Sequence, residues 1–537
     1  MNERCGRQRW MRRRSHLLSW SILVTGVVGS TFAYADRPMD RSLKATAADW
    51  LEKLENHDVA HYVVIGDSIS FRADTWTWFL RNMLEQRFGV AGDGYLGFNG
   101  AFAFTNDGSI NRRPGLKYRR SSNWAYSTTG AGARLPLGER SVDGLFTCIG
   151  ATGWVEVEMF GPKATLHFVR EQGAGTLRIQ VNGAWVADVD AASAESIPSL
   201  GVYTFSTGQS NPNVINRVRV SLVGATEENP QWTQVNGLFM STGEPGPLFS
   251  RLARGGVGPE DFLRCDPGIF RDTLASLNPD LVIIMLDHDD IFIYADSMAM
   301  LLDRVEQAVP DAEILLVTHH HFGESRAYDA DVLNDLAASR SHGYLNFFDL
   351  HRDFAHLHAL GFLIDSVHFS AVGGAWFARQ YDLALQGWTQ PVSFGVDRGD
   401  LLGGELYQIR GSDDDALRIR SGFGSTFTDL HSMHAWAEFV TDTPDPHALD
   451  LLIETSVNQP SGMLRVLVWN WRTNQFESVG QAPVNQTDEE IMIDGLSVAD
   501  RVSTDGRVLV QVRHVVVAPV FAFRFDSLLD HVRARVR

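Results

Sequence analysis

The sequence predicts an α/β protein: a parallel, helix-covered sheet split by one all-β segment and followed by a second. Three observations predict it. Short apolar runs at 61–65, 281–286, 312–317 and 344–349 alternate with segments whose apolar residues recur at helical spacing, the signature of βαβ units in a sheet covered on both faces. Across 135–231 a strict apolar/polar alternation replaces the helical period, and beyond about residue 387 the alternation returns. At 537 residues, 44% hydrophobic and 21% charged, the chain is a folded protein with material for about three units.

The first element is not part of that fold. Arg4, Arg7, Arg9, Arg12, Arg13 and Arg14 precede an apolar run over 17–32, and Ala33-Tyr34-Ala35 stands before Asp36. Basic region, hydrophobic region and small residues at a cleavage site make residues 1–35 a secretory signal peptide. The alternative, a membrane anchor, fits less well because the apolar run contains Ser, Thr and Gly and is short for a span. Arg13-Arg14 suits a twin-arginine signal as well as general secretion. No later stretch is apolar enough to cross a bilayer. Cleavage after Ala35 leaves 41 basic and 64 acidic residues, a formal charge of −23, which argues against a nucleic-acid partner. Of the cysteines, Cys148 and Cys265 remain; they could pair in an oxidising compartment or stay buried thiols.

The mature chain opens with His61-Tyr62-Val63-Val64-Ile65 running into Gly66-Asp67-Ser68. This is a strand that delivers a serine to a turn, where an α/β sheet meets its loops. Trp76, Phe79, Leu80, Met83 and Leu84 then recur at helical spacing, predicting a helix over 74–88 packed on the sheet. The glycine-rich loop at 92–98 lacks the context of a phosphate cradle and is either a cleft wall or simply a loop. Within 135–231, alternating runs at 153–160, 165–169, 176–181 and 216–223, with Asn182-Gly183 as a hairpin turn, predict a β module. After the strand at 279–286, Met298, Leu301, Leu302, Val305 and Val309 define a helix face. A strand at 312–317, a helix near 329–341 and a strand at 344–349 complete the α/β pattern. Past residue 390, strands at 417–421, 464–471 and 508–513 predict a β-sandwich. Trp469 and Trp471 share a strand face there, as a sugar-stacking platform or a buried pair.

The chemistry converges from two distant strings. Asp365 and His368 are three residues apart on a loop before an alanine-rich helical pattern. A serine hydroxyl needs a base to take its proton, and the base needs a partner to orient it. Ser68, His368 and Asp365 supply all three.

Gly66-Asp67-Ser68 and Asp365-x-x-His368, in this order, resemble the first and last blocks of the SGNH (GDSL-like) hydrolase superfamily, in particular bacterial polysaccharide and peptidoglycan O-acetylesterases with an inserted β module. The resemblance implies a three-layer α/β/α, flavodoxin-like SGNH core with an inserted β-sandwich and a C-terminal β-sandwich. It implies Ser68 as nucleophile, His368 as general base and Asp365 as its orienting carboxylate. Asn236-Gly237-Leu238 resembles the block that donates an oxyanion-hole amide, from Gly237. Where the family carries an asparagine after the third block's strand, this chain reads Asp287-His288-Asp289-Asp290. Asp289 can accept but not donate when ionised, which costs about 3 kcal/mol of oxyanion stabilisation; His288, or the Ser68 and Gly237 amides, would then carry the hole.

The expected organisation is signal peptide 1–35, core 36–134, inserted module 135–231, core 232–390 and C-terminal sandwich 391–537. The expected activity is serine-dependent ester hydrolysis without a cofactor, removing O-acetyl groups from a secreted or periplasmic glycan. An O-acetyltransferase would use the same acyl-enzyme. A non-catalytic glycan-binding protein with a degenerate fold is the alternative that Asp289 favours. A metallohydrolase is the reading that His319-His320-His321 and 287–290 suggest, both following apolar strands.

Overall fold

The computed structural model describes residues 40–41, 46–71, 75–98, 118–120, 124–125, 140–142, 147–149, 153–209, 211, 213–224, 231–287, 290–323, 326–351, 353–413, 415–423, 431–441, 443, 446–516 and 524–537. The expected signal peptide, His288 and Asp289 lie outside these residues. Among the described residues no helix is long and apolar enough to cross a membrane.

The central sheet runs in the order Asp40–Arg41, Gly343–Leu345, Glu313–Val317, Leu281–Met285, Val59–Gly66, Gly246–Ala253. Asp40–Arg41 pairs antiparallel and the other five strands run parallel. Counted along the chain, the parallel strands lie 2-1-3-4-5, the flavodoxin-like order. The winding reverses between Val59–Gly66 and Leu281–Met285, so a crevice opens beyond their carboxyl ends.

Residue alternation explains the two helical layers. Tyr62 and Val64 face one side with Ile283 and Leu315, under helices Ala48–Glu55, Trp76–Phe88 and Ala371–Leu385. Val63 and Ile65 face the other with Val282, Ile284 and Leu316, under Pro267–Leu277, Tyr294–Ala308 and Ala327–Arg340. Apolar runs without polar interruption are what a strand buried on both faces requires. The strand expected over 344–349 stops at Leu345. Thr318 Oγ1 accepts from the Phe347 and Phe348 amides at 2.7 and 2.9 Å, drawing them out of the ladder and into the turn Phe348–Leu350.

Two antiparallel sheets form the inserted module. One orders Ala184–Asp190, Thr176–Val181, Ile215–Val223, Trp154–Phe160 and Tyr118–Arg120; the other orders Ser199–Ser206, Lys163–Arg170, Thr233–Ser241, Thr147–Ile149 and Trp124–Ala125, with Gly94–Gly97 also on Thr233–Ser241. Val157, Ile179 and Val220 of the first meet Leu166, Phe168 and Val235 of the second in a common core. Asn182 and Gly183 both take positive φ, 52° and 84°, as a two-residue type I′ hairpin demands. The strands reach from 94–97 to 233–241, wider than the expected 135–231: Gly94–Gly97 is too short to carry a period, and Thr233–Ser241 is buried at nearly every position, so it shows no alternation.

The C-terminal sandwich places Asp400–Gly403, Leu417–Arg420, Asp526–Val536, Leu449–Val457 and Glu489–Leu496 in one sheet, and Ser393–Arg398, His431–Val440, Arg507–Val515, Gly462–Asn470 and Gln475–Val484 in the other. It is docked on the core rather than tethered to it. Arg533, fully buried, donates to His531 Nε2 at 2.7 Å, to the Arg410 carbonyl at 3.1 Å and to Gln380 on helix Ala371–Leu385. Trp376 of the same helix donates to the Ser412 carbonyl. Trp469 and Trp471 stand at 73° with centroids 6.4 Å apart, a perpendicular pair rather than a flat platform.

Candidate active site

Ser68 is placed by a turn that only glycine allows. A Cβ on Gly66 would lie 2.6 Å from both Cβ and Oγ of Ser70, so the chain can fold back tightly after the strand. Asp67 Oδ1 accepts from the Ile69 amide at 2.9 Å, which fixes the short helix Ser68–Phe71 and holds Ser68 at its start.

The loop before helix Ala371–Leu385 is stapled as firmly. The Ser370 amide donates to the Phe362 carbonyl at 2.8 Å and the Ile364 amide to the His368 carbonyl at 2.9 Å. Ser370 Oγ donates to the Gly361 carbonyl at 2.6 Å and accepts from the Gly373 amide at 3.1 Å, capping the helix. Within that loop Asp365 Oδ1 accepts from the amides of Val367 and His368, each at 2.8 Å. Its Oδ2 lies 2.8 Å from His368 Nδ1, and His368 Nε2 lies 3.0 Å from Ser68 Oγ.

The roles of the ring nitrogens follow from charge. Burial works against ionising Asp365, but the His368 amide, the His368 ring and the Val367 amide outweigh it and hold its carboxyl down at about 2. An ionised carboxylate only accepts, so Nδ1 carries the proton and Nε2 is left to accept from the Ser68 hydroxyl. Ser68 and His368 are half-buried and Asp365 is half-exposed, so a substrate can reach the line of three.

Behind Ser68 lies a second polar group that the sequence did not assemble. His319 Nε2 is 3.5 Å from Asp67 Oδ2 and His319 Nδ1 is 3.5 Å from Asp287 Oδ2; Arg326 Nη2 is 3.2 Å from the same Asp287 oxygen. Burial opposes charge on His319, yet the two carboxylates overcome it and raise the imidazole to about 9. Burial, tempered by His319, pushes Asp67 up to about 6. The three successive histidines point to different surroundings. His320 is buried against Phe369, Phe322 and Phe377, where burial keeps it well below its ordinary pKa; His321 stacks on Phe348 at 4.4 Å.

Asp67, Asp287 and His319 have enough clustered ligand atoms to be weighed as a metal site, as do Glu454, Asp488 and Asp530 of the C-terminal sandwich. In the first group the carboxylates face opposite nitrogens of the ring, whose lone-pair directions diverge. That arrangement suits a bridging imidazolium rather than a shared ion.

The glycine beside Ser68 is Gly255. Its amide-side neighbour Arg254 donates to the Gly66 carbonyl at 3.2 Å, and a Cβ on Gly255 would lie 3.5 Å from the Ser68 Cβ. Gly237 sits inside strand Thr233–Ser241, opposite Gly97 on one side and His167 on the other. A Cβ there would strike the Leu96 carbonyl at 2.4 Å and the Tyr95 ring at 2.6 Å, which gives this glycine a packing reason. Gly255 went unnoticed in sequence because Ser250 and Arg251 interrupt the apolar pattern of the preceding strand, Gly246–Ala253. Phe71 and Ala253 from these two elements also line a hollow with Arg81, Tyr95, Phe249 and Arg251; Arg81 is held there by Glu85 and Asp93 at 2.8 and 2.6 Å.

Among solved structures, a peptidoglycan O-acetylesterase superimposes with a TM-score of 0.50 at 15% identity, over 65% of this chain and 99% of that one. The chain has the SGNH-hydrolase fold. A family two carbohydrate esterase from Clostridium thermocellum, in complex with cellohexaose, matches at 13% identity and TM-score 0.21 over 44% of this chain and 93% of that one. An acetyl xylan esterase from Butyrivibrio proteoclasticus matches at 12% and 0.17, over 36% and 81%; only the first of the three superimposes at the level of a whole fold. No protein-family model and no curated protein sequence matches the chain. Seen as an SGNH fold, the Ser68 turn occupies the crevice where the strand order reverses, with Asp287 and His319 on the next two strand ends.

Proposed function

We propose that this protein is a serine esterase that removes O-acetyl groups from a polysaccharide or glycan outside the cytoplasm. The observation that carries the reading is the unbroken line from Asp365 through His368 to Ser68, 2.8 and 3.0 Å long, at the switch point of the sheet. Ser68 Oγ attacks the ester carbonyl as His368 Nε2 takes its proton; His368 then returns the proton to the departing sugar oxygen, leaving an acetyl group on Ser68. Water, activated by the same imidazole, releases acetate. Asp365 keeps Nδ1 protonated and steadies the imidazolium. The oxyanion is met by the Ser68 amide and the Gly255 amide, with His288 as the side-chain donor that Asp289 cannot be. No step calls on a metal ion or cofactor.

The glycan assignment is supported by the SGNH fold it shares with a peptidoglycan O-acetylesterase and by the two β modules flanking the hydrolase core. The signal-peptide pattern of residues 1–35 supports export. The second reading, a glycan-binding protein without turnover, draws on Asp289 alone. Acetate release from O-acetylated peptidoglycan and O-acetylated xylan, by the wild-type protein beside Ser68→Ala, separates them. Release by wild type alone supports the esterase; glycan binding by both without release supports the second reading. Transfer of acetyl to an added oligosaccharide in place of free acetate would identify a transferase.

A further inference from the structure

We propose that His319 is a positioning residue for Ser68: a protonated imidazole that bridges Asp67 and Asp287 and thereby fixes the turn carrying the nucleophile. The inference rests on the assignment of Ser68 above.

Three adjacent parallel strands each end in one member of the bridge. Val59–Gly66 leads to Asp67, Leu281–Met285 to Asp287 and Glu313–Val317 to His319. Asp67 divides its carboxylate between two tasks. Oδ1 accepts from the Ile69 amide inside the Ser68 turn, and Oδ2 faces His319. A displacement of His319 is therefore passed through one side chain to the backbone next to Ser68.

The protonation state follows from the chemistry of the ring. A neutral imidazole has one N–H and one lone pair, and His319 has a carboxylate oxygen 3.5 Å from each nitrogen. Either neutral tautomer would set a lone pair against an anion in a site where the ring is 4% exposed. Only the protonated form sets positive charge against both, and the two contacts are ion pairs at 3.5 Å rather than hydrogen bonds. The groups facing the ring are Asp67 and Asp287 from the neighbouring strand ends, Arg326 beyond Asp287, and the Phe322 ring with its centroid 5.8 Å away; His368 lies within the field of Asp67. With His319 and Arg326 both cationic, the two carboxylates are balanced. Without the His319 charge the two carboxylates keep only Arg326 as counterion, a strain that Asp67 relieves by taking up a proton or by moving, and either shift reaches the Ser68 turn through the Ile69 amide.

The test compares wild type, His319→Gln, Asp67→Asn and the double variant by two readouts: the rate at which a fluorophosphonate labels Ser68, and kcat and KM on p-nitrophenyl acetate. A misplaced nucleophile typically costs on the order of a hundredfold. His319→Gln is expected to lose about that much in labelling rate constant and kcat, with KM within about threefold of wild type, while labelling still runs to one equivalent per chain; an unfolded fraction would lower that end-point instead. The double variant is expected to recover at least about tenfold over His319→Gln, because removing the Asp67 charge removes the need for its counterion. Asp67→Asn keeps the size and the Ile69 cap, and is expected to slow labelling about tenfold; it carries the test where His319→Gln does not fold. Labelling of His319→Gln at the wild-type rate overturns the proposal, as do additive losses in the double variant, or one equivalent of metal in the purified protein that is missing from His319→Gln. Failure of the wild-type protein to label would overturn the Ser68 assignment itself, and with it this bridge.

Discussion

Replacing Asp365 by asparagine changes one atom and should reverse the direction of the whole proton line. The asparagine carbonyl can keep the two amide bonds that Asp365 Oδ1 now accepts from Val367 and His368 at 2.8 Å. Its NH2 then takes the place of Oδ2, 2.8 Å from His368 Nδ1. Two donors cannot share that contact, so Nδ1 gives up its hydrogen and Nε2 carries it. The nitrogen 3.0 Å from Ser68 Oγ becomes a donor and can no longer take the serine proton. In serine hydrolases a carboxylate-to-amide exchange that forces the wrong tautomer costs on the order of 10⁴ in kcat. The half-exposed Asp365 lets water compete for Nδ1, which sets the expected loss between about 10² and 10⁴, or about 3 to 5 kcal/mol of transition-state stabilisation. Asp365→Ala leaves the tautomer free but removes both amide caps, so it should retain more activity than Asp365→Asn while melting lower. The assay is initial rates on p-nitrophenyl acetate at pH 8 together with thermal unfolding. Asp365→Asn retaining more than about a tenth of wild-type kcat, or outperforming Asp365→Ala, would refute the tautomer argument.

Other outcomes follow from the same coordinates. Gly255→Pro removes the proposed oxyanion donor and should lower kcat by about 10² to 10³, whereas Gly255→Ala, whose Cβ meets Ser68 only at ordinary contact distance, should stay near wild type; equal activities would remove Gly255 from the oxyanion hole. Ser250 Oγ lies 2.7 Å from the buried His61 Nε2 and accepts from the Tyr95 amide at 2.8 Å, so Ser250→Ala strands both and should cost about 1 to 3 kcal/mol in urea unfolding. Acid should destabilise the fold before it reaches the carboxylates. Burial depresses His61 and His167 to about 4 and His514 to about 3, below the ordinary value near 6.5, so their contribution is present above pH 6.5 and is lost as pH falls toward 4. A shift of that size is worth roughly 3 kcal/mol per group. Asp67 and Glu313, raised chiefly by burial to about 6 and 7, gain stability over the same fall but are outnumbered. His319, raised to about 9, loses its contribution as pH climbs from 6.5. The melting temperature should therefore peak at about pH 6.5 to 7, and a plateau extending unchanged down to pH 4 would contradict the neutral, buried histidines.

The parts of the fold that could be read in sequence are those in which one strand or helix carries its own pattern. Tyr62 to Ile65 are apolar without interruption because both faces of their strand are covered, and Met298, Leu301, Leu302 and Val305 repeat because one helix face meets the sheet. The geometry of Asp365 and His368 was legible for the same reason: three residues of loop bring them together. What failed to show were contacts between elements. Strand Gly246–Ala253 carries Ser250, buried on His61 and the Tyr95 amide, and Arg251 beside it, so its apolar run is broken and Gly255 behind it goes unseen. Arg533 alternates like a surface residue, yet it is fully buried where the C-terminal sandwich meets helix Ala371–Leu385. The His319 bridge joins residues 67, 287 and 319, and no local rule predicts which of three successive histidines turns toward the carboxylates. Asp287 belongs to an acidic string, whereas Asp67 is, in sequence, only the middle of Gly-Asp-Ser.

The central claim is that Ser68 carries the acyl group, and the most direct test is p-nitrophenyl acetate hydrolysis by the purified protein beside Ser68→Ala, each with and without a chelator. The account predicts turnover that survives chelation and vanishes in Ser68→Ala. Turnover that persists in Ser68→Ala, or that disappears with the chelator, would contradict it.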